Sequence, residues 1–272
     1  MTITLVKLGG SLITDKLVES SFRVDVTHRI ASEIAEAIRQ KPDLQLIIGH
    51  GSGSFGHFAA KRHHTVEGVH TREQWHGFTE VATAASTLNG LVAETMRSAG
   101  LPIWRIQPSA SIVCQDGVIQ QMALGPLQAA LVGGIIPLVY GDVAVDSVRG
   151  GTIASTETVF TYLVEHLPVS QVLLLGEVPG VYDPEGTVIP EVTPSNFDTM
   201  RDFLGGSAGV DVTGGMLTKV QDMLALVEQI AGLRVWIMDG TQPGLLKQSL
   251  MGEGQFGTLI HAGTTHTGSH AG

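Results

Sequence analysis

Short, mainly apolar runs alternate along the chain with longer segments in which apolar residues recur every three or four positions. The runs predict buried strands, and the segments with helical spacing predict amphipathic helices. Strands are expected at residues 3–8, 44–48, 102–106, 135–140, 172–175, 234–238 and 257–261. Helices are expected at 25–40, 55–62, 73–98, 127–132, 155–166, 195–204, 216–231 and 243–250, and a hairpin turning at Asp116-Gly117 is expected within 111–122. This alternation predicts an α/β fold, a three-layer αβα sandwich with a mainly parallel central sheet.

Composition narrows the function classes. Sixteen basic against 26 acidic residues give a net charge of −10, without the basic cluster that nucleic acid or an anionic membrane surface requires. The single cysteine, Cys114, excludes an intramolecular disulfide and a cysteine-based metal cluster. No apolar run approaches the roughly 18 residues of a membrane span, and the N-terminus lacks the order of a signal peptide. We therefore expect a cytoplasmic protein without nucleic acid or membrane partners.

The predicted strand at 44–48 leads into the glycine-rich sequence GHGSGSFGH at 49–57. Glycines between a strand and a helix N-terminus let backbone N–H groups approach a phosphate, although a simple turn has the same composition. Gly51, Gly53 and Gly56 also match the dinucleotide-binding spacing. That interpretation is weak because no second strand ending in an acidic residue follows about 20 residues later. A P-loop motif is absent.

Two further glycine-containing segments have lysines close by in the sequence. Lys7 and Lys16 flank Gly9-Gly10-Ser11, and Lys219 follows Gly214-Gly215 in the first turn of a predicted helix. A lysine near a helix N-terminus is unfavourable unless an anion is bound there. Solvated lysines are the alternative, but the pattern favours phosphate binding in both halves of the chain.

Six histidines lie between His50 and His76, but their spacing matches no metal-binding pattern. We therefore assign no metal-ligating residue. Asp142 follows the predicted strand at 135–140, where site residues of open α/β sheets usually lie.

Taken together, the segments KLGGSLITDK, GHGSGSFGH, PLVYGDV, GVYDP and DVTGGMLTK resemble the amino acid kinase superfamily and, within it, the isopentenyl phosphate kinases. The most specific feature is Ser54-Phe55-Gly56-His57. Isopentenyl phosphate kinases and the similar fosfomycin kinases carry this histidine, whereas most superfamily members lack it.

The resemblance implies an amino acid kinase-like fold that transfers a phosphoryl group in line from ATP to isopentenyl phosphate, with Mg²⁺, giving isopentenyl diphosphate. It also implies a homodimer and a place in isoprenoid biosynthesis by the mevalonate pathway. An N-terminal lobe at residues 1–168 would bind the acceptor phosphate, and a C-terminal lobe at 169–272 would bind ATP, with one continuous sheet through both.

Roles follow by matching motifs. The residues implied in catalysis are Lys7, Lys16, His57 and Lys219. The acceptor phosphate would be held by Ser52, Gly53 and His57, with Gly151 nearby. The residues implied in nucleotide binding are Lys7, Gly9, Gly10, Ser11, Gly53, Glu177, Tyr182, Gly214, Gly215 and Lys219.

The chain departs from the family pattern at two places. Relatives commonly have Ser-Gly-Asp where this chain has Ser155-Thr156-Glu157, and GEVPG at 176–180 replaces Thr-Asp-Val-Asp-Gly. A kinase for fosfomycin or another small phosphate or phosphonate, and a non-catalytic nucleotide-binding protein, are therefore alternatives. The stripe of Phe78, Val81, Ala82 and Ala85 on the predicted helix 73–98 favours an apolar isoprenoid tail.

Overall fold

The computed structural model describes residues 2–204 and 215–263. Within these ranges, no helix is both long enough and apolar enough to cross a membrane. The strands are β1 (Ile3–Leu8), β2 (Gln45–His50), β3 (Ile103–Arg105), β4 (Val113–Gln115), β5 (Val118–Gln121), β6 (Ile136–Tyr140), β7 (Asp142–Asp146), β8 (Gly150–Ala154), β9 (Val169–Gly176), β10 (Glu191–Val192), β11 (Arg234–Asp239) and β12 (Thr258–Ile260). The helices are α1 (Gly10–Ile13), α2 (Val24–Gln40), α3 (Gly53–His63), α4 (Arg72–Ser98), α5 (Gly125–Val132), α6 (Thr156–His166), α7 (Pro194–Leu204), α8 (Gly215–Gln229) and α9 (Leu245–Met251).

The main sheet has eight strands in the order β10-β12-β11-β9-β1-β2-β6-β3. Every neighbouring pair is parallel except β11 and β12. The predicted α/β fold with a mainly parallel sheet is therefore confirmed. The two proposed lobes meet at β1, which pairs with β2 of the N-terminal lobe on one side and with β9 of the C-terminal lobe on the other. The division into lobes at residue 168 stays a prediction.

Helices cover both faces of this sheet and form two apolar cores. Along β1 the side chains alternate between the faces, as a strand requires. Ile3 and Leu5 join the core under α6 and α8, and Val6 and Leu8 join the core under α2, α4 and α9. All six residues of β1 are buried. The three predicted layers are thus present, and β1 lies in the middle of them.

A second sheet, with the order β5-β4-β7-β8, was not predicted. Its β4–β5 hairpin was expected, and Asp116 and Gly117 both have positive φ, as a two-residue hairpin turn of this kind requires. The β7–β8 hairpin was missed because residues 142–154 contain a polar turn and paired glycines and no long apolar run. The residues of β7 and β8 that are buried in the second sheet therefore form no clear apolar pattern in the sequence.

Helix α3 begins at Gly53, two residues earlier than predicted. Thr14 explains the difference, because its Oγ1 accepts a hydrogen bond from Ser54 N at 3.0 Å and donates to Gly10 O at 2.7 Å. The hydroxyl satisfies an N–H of the first turn that would otherwise lack a partner. The first turn of α3 is thus capped by Thr14, which lies forty residues before Ser54 in the sequence. The apolar pattern around residue 53 therefore does not reveal where the helix begins.

Asp146 stabilises two turns of the second sheet, the one between β4 and β5 and the one between β7 and β8. Its carboxylate accepts hydrogen bonds from four backbone N–H groups, those of Asp116, Gly117, Val148 and Arg149, at 2.7–3.0 Å. Desolvation opposes ionisation, but these four donors outweigh it and lower the pKa of Asp146 to about 2. The carboxylate therefore stabilises the fold fully above pH ~4, and this contribution is lost as the pH falls towards the folded-state pKa.

We predict that Asp146→Asn lowers the free energy of unfolding by about 2 kcal/mol at pH 7, because a charged acceptor of four hydrogen bonds is lost. Urea titrations at pH 7 and pH 3 measure the effect, which should shrink at the lower pH. Asp43→Asn, at an exposed turn, is the control and should unfold like the parent. Equal destabilisation at both pH values would contradict the assignment.

Candidate active site

The glycine-rich loops that follow β1 and β2 lie at one edge of the main sheet. Because β1, β2, β9 and β11 are parallel, their carboxyl ends share that edge, where ligands of open α/β sheets bind. Gly9–Ser11 follows β1, residues 51–54 follow β2, and Glu177 follows β9. The sheet thereby brings together segments that the sequence separates by more than a hundred residues.

The loops after β1 and β2 touch backbone to backbone. A Cβ added to Gly10 would lie 2.8 Å from both N and Cα of Gly53, and one added to Gly51 would lie 3.0 Å from Gly10 N. Gly53 also has φ +50, and a Cβ there would lie 2.3 Å from Thr14 Oγ1. These three positions therefore require glycine for the loop contact itself. Since both loops were predicted to bind phosphate, their contact would place two phosphate groups side by side.

Lys7 lies at the end of β1, and its ammonium is almost wholly buried. Its Nζ donates a hydrogen bond to Glu157 Oε1 on the first turn of α6. Burial of the Glu157 carboxyl raises its pKa, but the charge and hydrogen bond of Lys7 and the charge of Lys219 outweigh burial and lower the pKa below the usual range. Glu157 is therefore an anion that faces lysines from both halves of the chain.

Glu157 was noted in the sequence only as a departure from the family pattern, and its ion pair with Lys7 was not predicted. Asp222, three residues after Lys219 on α8, is a second carboxyl near this cluster. Desolvation and the negative charge of Glu157 raise the pKa of Asp222. A signal for Asp222 existed, since residues three apart on a helix share a face, but the sequence offered nothing that linked it to Glu157.

Lys16 is exposed on the loop between α1 and α2. This loop lies against α3, because Ser21 N donates to Ser54 Oγ at 3.3 Å and Arg62 pairs with Glu19 at 2.9 Å. Lys16 therefore lies on a loop that is hydrogen-bonded to α3, the helix that follows β2 and its glycine-rich loop.

His57 is exposed on α3, on the same face as Gly53 four residues earlier. Ser52 precedes the helix, and its side chain makes no capping hydrogen bond. The N-terminal end of α3, with its partial positive charge, therefore adjoins the loop contact on the side of His57.

Gly151 is buried on β8, where an added Cβ would lie 2.9 Å from the ring of Phe78. Phe78 belongs to a small apolar cluster separate from the two main cores. The members of this cluster are Ala59, Ala60, Phe78, Val81, Ala82, Ala84, Val143 and Ile153. Three of the four residues predicted to line an apolar pocket are in it, and Ala85 is buried too. Since Ala59 and Ala60 follow His57 on α3, the cluster lies next to the predicted acceptor-phosphate residue.

The remaining residues predicted to bind the nucleotide are Glu177 and Tyr182, expected at the nucleoside, and Gly214 and Gly215, expected at the ATP phosphates. Glu177 pairs with Arg23 at 2.7 Å, and Tyr182 is exposed on a segment bridged to Val188. Gly215 is the exposed first residue of α8, whereas Gly214 lies outside the described residues. The nucleotide-binding roles of these residues stay predictions.

The described part of the chain contains no group of three or more His, Cys, Asp or Glu side chains arranged to hold a metal ion. Two of the clustered histidines have carboxylate neighbours, His63 with Glu80 at 2.7 Å and His64 with Glu67 at 3.1 Å.

Comparison with known proteins gives a consistent assignment. A model of the amino acid kinase family matches residues 2–239. The isopentenyl phosphate kinase of Methanothermobacter thermautotrophicus is 32% identical over 279 residues, covering 98% of this chain and 99% of the relative. That of Methanocaldococcus jannaschii is 30% identical over 260 residues, covering 92% and 96%.

A solved structure agrees with the sequence matches. X-ray structures of isopentenyl phosphate kinase include a chain that superposes with a TM-score of 0.79 and 29% identity, covering 95% of this chain and 99% of that one. By sequence and by fold, this chain belongs to the amino acid kinase family, and along nearly its whole length it resembles the isopentenyl phosphate kinases within that family.

Proposed function

We propose that this protein transfers the γ-phosphoryl group of ATP to isopentenyl phosphate, giving isopentenyl diphosphate and ADP. The contact between the two glycine loops carries the proposal, because it would place a donor and an acceptor phosphate next to one another. In our proposal Lys7 and Lys219 act on the donor side of this contact and His57 acts on the acceptor side. The relatives named isopentenyl phosphate kinase, which match along nearly the whole chain, support this choice of acceptor.

The residues present fit ATP. Gly10, Gly51 and Gly53 leave no room for side chains where the loops meet. The N–H of Gly51 donates to the carbonyl of Leu8, so in our proposal the N–H groups of Gly10 and Gly53, the first residues of α1 and α3, face the phosphates. Mg²⁺ is commonly held by substrate phosphates with one or two carboxylates, and Asp222 is the carboxylate we propose for it. When bound, Mg²⁺ neutralises charge on the β- and γ-phosphates.

The acceptor needs no general base. The second pKa of a phosphomonoester is about 6, so the attacking oxygen is already an anion at neutral pH. The protein has instead to overcome the repulsion between two anionic groups and to align them. In our proposal Lys7 and Lys219 hold the ATP phosphates, Lys16 contacts the transferring group, and His57 holds the acceptor phosphate.

The electron pairs balance without a cofactor beyond ATP and Mg²⁺. An acceptor phosphate oxygen forms a bond to the γ-phosphorus while the bond from that phosphorus to the β–γ bridging oxygen breaks. The bridging oxygen keeps the electron pair and leaves on ADP. Glu157 takes part only by holding the ammonium of Lys7 in place.

The apolar cluster around Phe78 supports an acceptor with a short hydrocarbon tail. It lies on α3, α4, β7 and β8, beyond His57. We also propose that the protein acts as a cytoplasmic homodimer in isoprenoid biosynthesis by the mevalonate pathway, on the basis of the family resemblance alone.

The first prediction from the proposed function concerns the acceptor. With Mg·ATP, ADP release should occur with isopentenyl phosphate and dimethylallyl phosphate and not with N-acetylglutamate or UMP, because only the first two combine a phosphate with a small apolar tail. A coupled spectrophotometric assay measures it. Turnover with fosfomycin alone would contradict the apolar pocket, and silence across the panel with ATP still bound would favour a non-catalytic protein.

The second prediction from the proposed function concerns two exposed side chains, Lys16 and His57. Lys16→Ala and His57→Ala should each fold and lose roughly a hundredfold in kcat/KM, the usual cost of removing one donor from a developing anion. Lys41→Ala and His28→Ala, also exposed, are matched controls that should keep parental rates. Steady-state kinetics with isopentenyl phosphate decide the matter, and near-parental activity of either site variant would refute its role.

The third prediction concerns Glu157. Because its pKa is lowered, the carboxylate is charged throughout the neutral range, and Glu157→Gln removes that charge without changing size. We expect kcat/KM for ATP to fall about a hundredfold as Lys7 loses its position. Glu157→Asp keeps the charge and should lose much less. An unimpaired glutamine variant would show that Lys7 needs no anionic partner.

A further inference from the structure

A line of hydrogen bonds runs from the surface to the loop after β2. Arg105, exposed on the edge strand β3, donates from Nε to Asn89 Oδ1 at 2.7 Å. Asn89 Nδ2 lies 3.0 Å from His50 Nε2, and His50 Nδ1 lies 3.0 Å from the carbonyl oxygen of Gly51. We call these four residues the Arg105 relay. Its two middle members, Asn89 and His50, are fully buried.

Donor and acceptor roles in the relay follow from its outer end. A guanidinium only donates, so the Asn89 atom that faces Arg105 has to be the oxygen. The amide nitrogen of Asn89 therefore faces His50 and donates to Nε2. A neutral imidazole that accepts at Nε2 carries its proton on Nδ1, and that proton points at the Gly51 carbonyl. Arg105, acting through Asn89, and the Gly51 carbonyl, which can only accept, thus specify the same tautomer of a buried histidine.

Burial keeps this histidine neutral. Desolvation of the ring lowers the pKa of His50 to about 4, although the hydrogen bond with the Gly51 carbonyl opposes it, and the charge of Arg105 lowers the pKa by a smaller amount. The ring is further held by stacking on Tyr140, with ring centroids 5.7 Å apart. At neutral pH one ring nitrogen therefore donates and the other accepts, and within the Arg105 relay Nδ1 is the donor and Nε2 is the acceptor.

The orientation of the Gly51 carbonyl fixes the direction of the next N–H in the glycine-rich loop, that of Ser52. In a trans peptide the C=O and the following N–H point in opposite directions. A Gly51 carbonyl held towards the His50 ring therefore turns the Ser52 N–H away from the core. That N–H makes no hydrogen bond within the described residues, and it immediately precedes the N-terminal end of α3.

We propose that Arg105 is a positioning residue for the acceptor phosphate, which acts through Asn89 and His50 to aim the Ser52 N–H out of the glycine loop. The proposal rests on the proposed function in one respect, namely that this loop binds the phosphate of the acceptor. It adds a residue at the sheet edge, on a groove of about 560 Å³, to the set that determines acceptor binding.

The tautomer is tested directly by NMR, independently of activity. In protein labelled with ¹⁵N-histidine at pH 7, His50 should show a protonated Nδ1 and an unprotonated Nε2, with its signal assigned by loss in His50→Gln. A proton on Nε2, or on both nitrogens, would overturn the proposal.

The coupling to the acceptor is tested with three variants, by calorimetric titration with isopentenyl phosphate and with ATP. Arg105→Leu frees the Asn89 amide to rotate and present its oxygen to Nε2, so the Nε2-protonated tautomer, which gives the Gly51 carbonyl no donor, should become populated. Kd for isopentenyl phosphate should then rise about tenfold, while Kd for ATP stays the same. Arg105→Lys keeps a cation that only donates and should restore both readouts. Arg97→Leu removes a charge from the same groove and should change neither.

Two outcomes would overturn the proposal. One is an Arg105→Leu variant with parental tautomer and parental acceptor affinity. The other is an equal loss of affinity for both ligands with the tautomer unchanged, which would mark a general loss of structure. A parent protein that binds ATP and not isopentenyl phosphate would overturn the proposed function and the acceptor half of this inference together, while the NMR result would still decide the tautomer.

Discussion

The close approach of two glycine loops is the constraint on which the rest of the site depends. Gly10 and Gly53 meet at distances that exclude any side chain, and Thr14 links them further by bonding to Gly10 O and Ser54 N. This contact exists because β1 and β2 are adjacent parallel strands that end at the same edge. A β-carbon at either glycine would separate the loops and, with them, whatever groups they bind.

The charges at the site are arranged around that contact. Lys7 comes from the central strand, Lys219 from α8 and Glu157 from α6, and the carboxylate faces both cations. An isolated buried ammonium is costly, so Lys7 requires an anionic neighbour when no ligand is bound. Glu157 supplies that anionic neighbour.

Much of the fold could be predicted because long apolar runs and helical spacing are strong local signals. Those signals located every strand of the main sheet except the two-residue β10, and they located the helix α4. The β7–β8 hairpin and the start of α3 could not be predicted, because burial on a second sheet and a cap supplied by Thr14 are tertiary effects. In the site, glycines and lysines were visible as motifs, whereas Glu157, Asp222 and the Arg105 relay depend on which side chains the fold brings together.

The position of β1 also has a consequence for how the chain folds. Its partner on one side, β2, follows soon in the sequence, but its partner on the other side, β9, begins only at residue 169. During synthesis the central strand therefore keeps one edge unpaired until most of the chain has emerged, and such apolar edges favour association with other chains. Formation of the sheet is a late, non-local step, which slows folding. The strand that carries Lys7 is thus the part of the molecule that remains longest dependent on protection from aggregation.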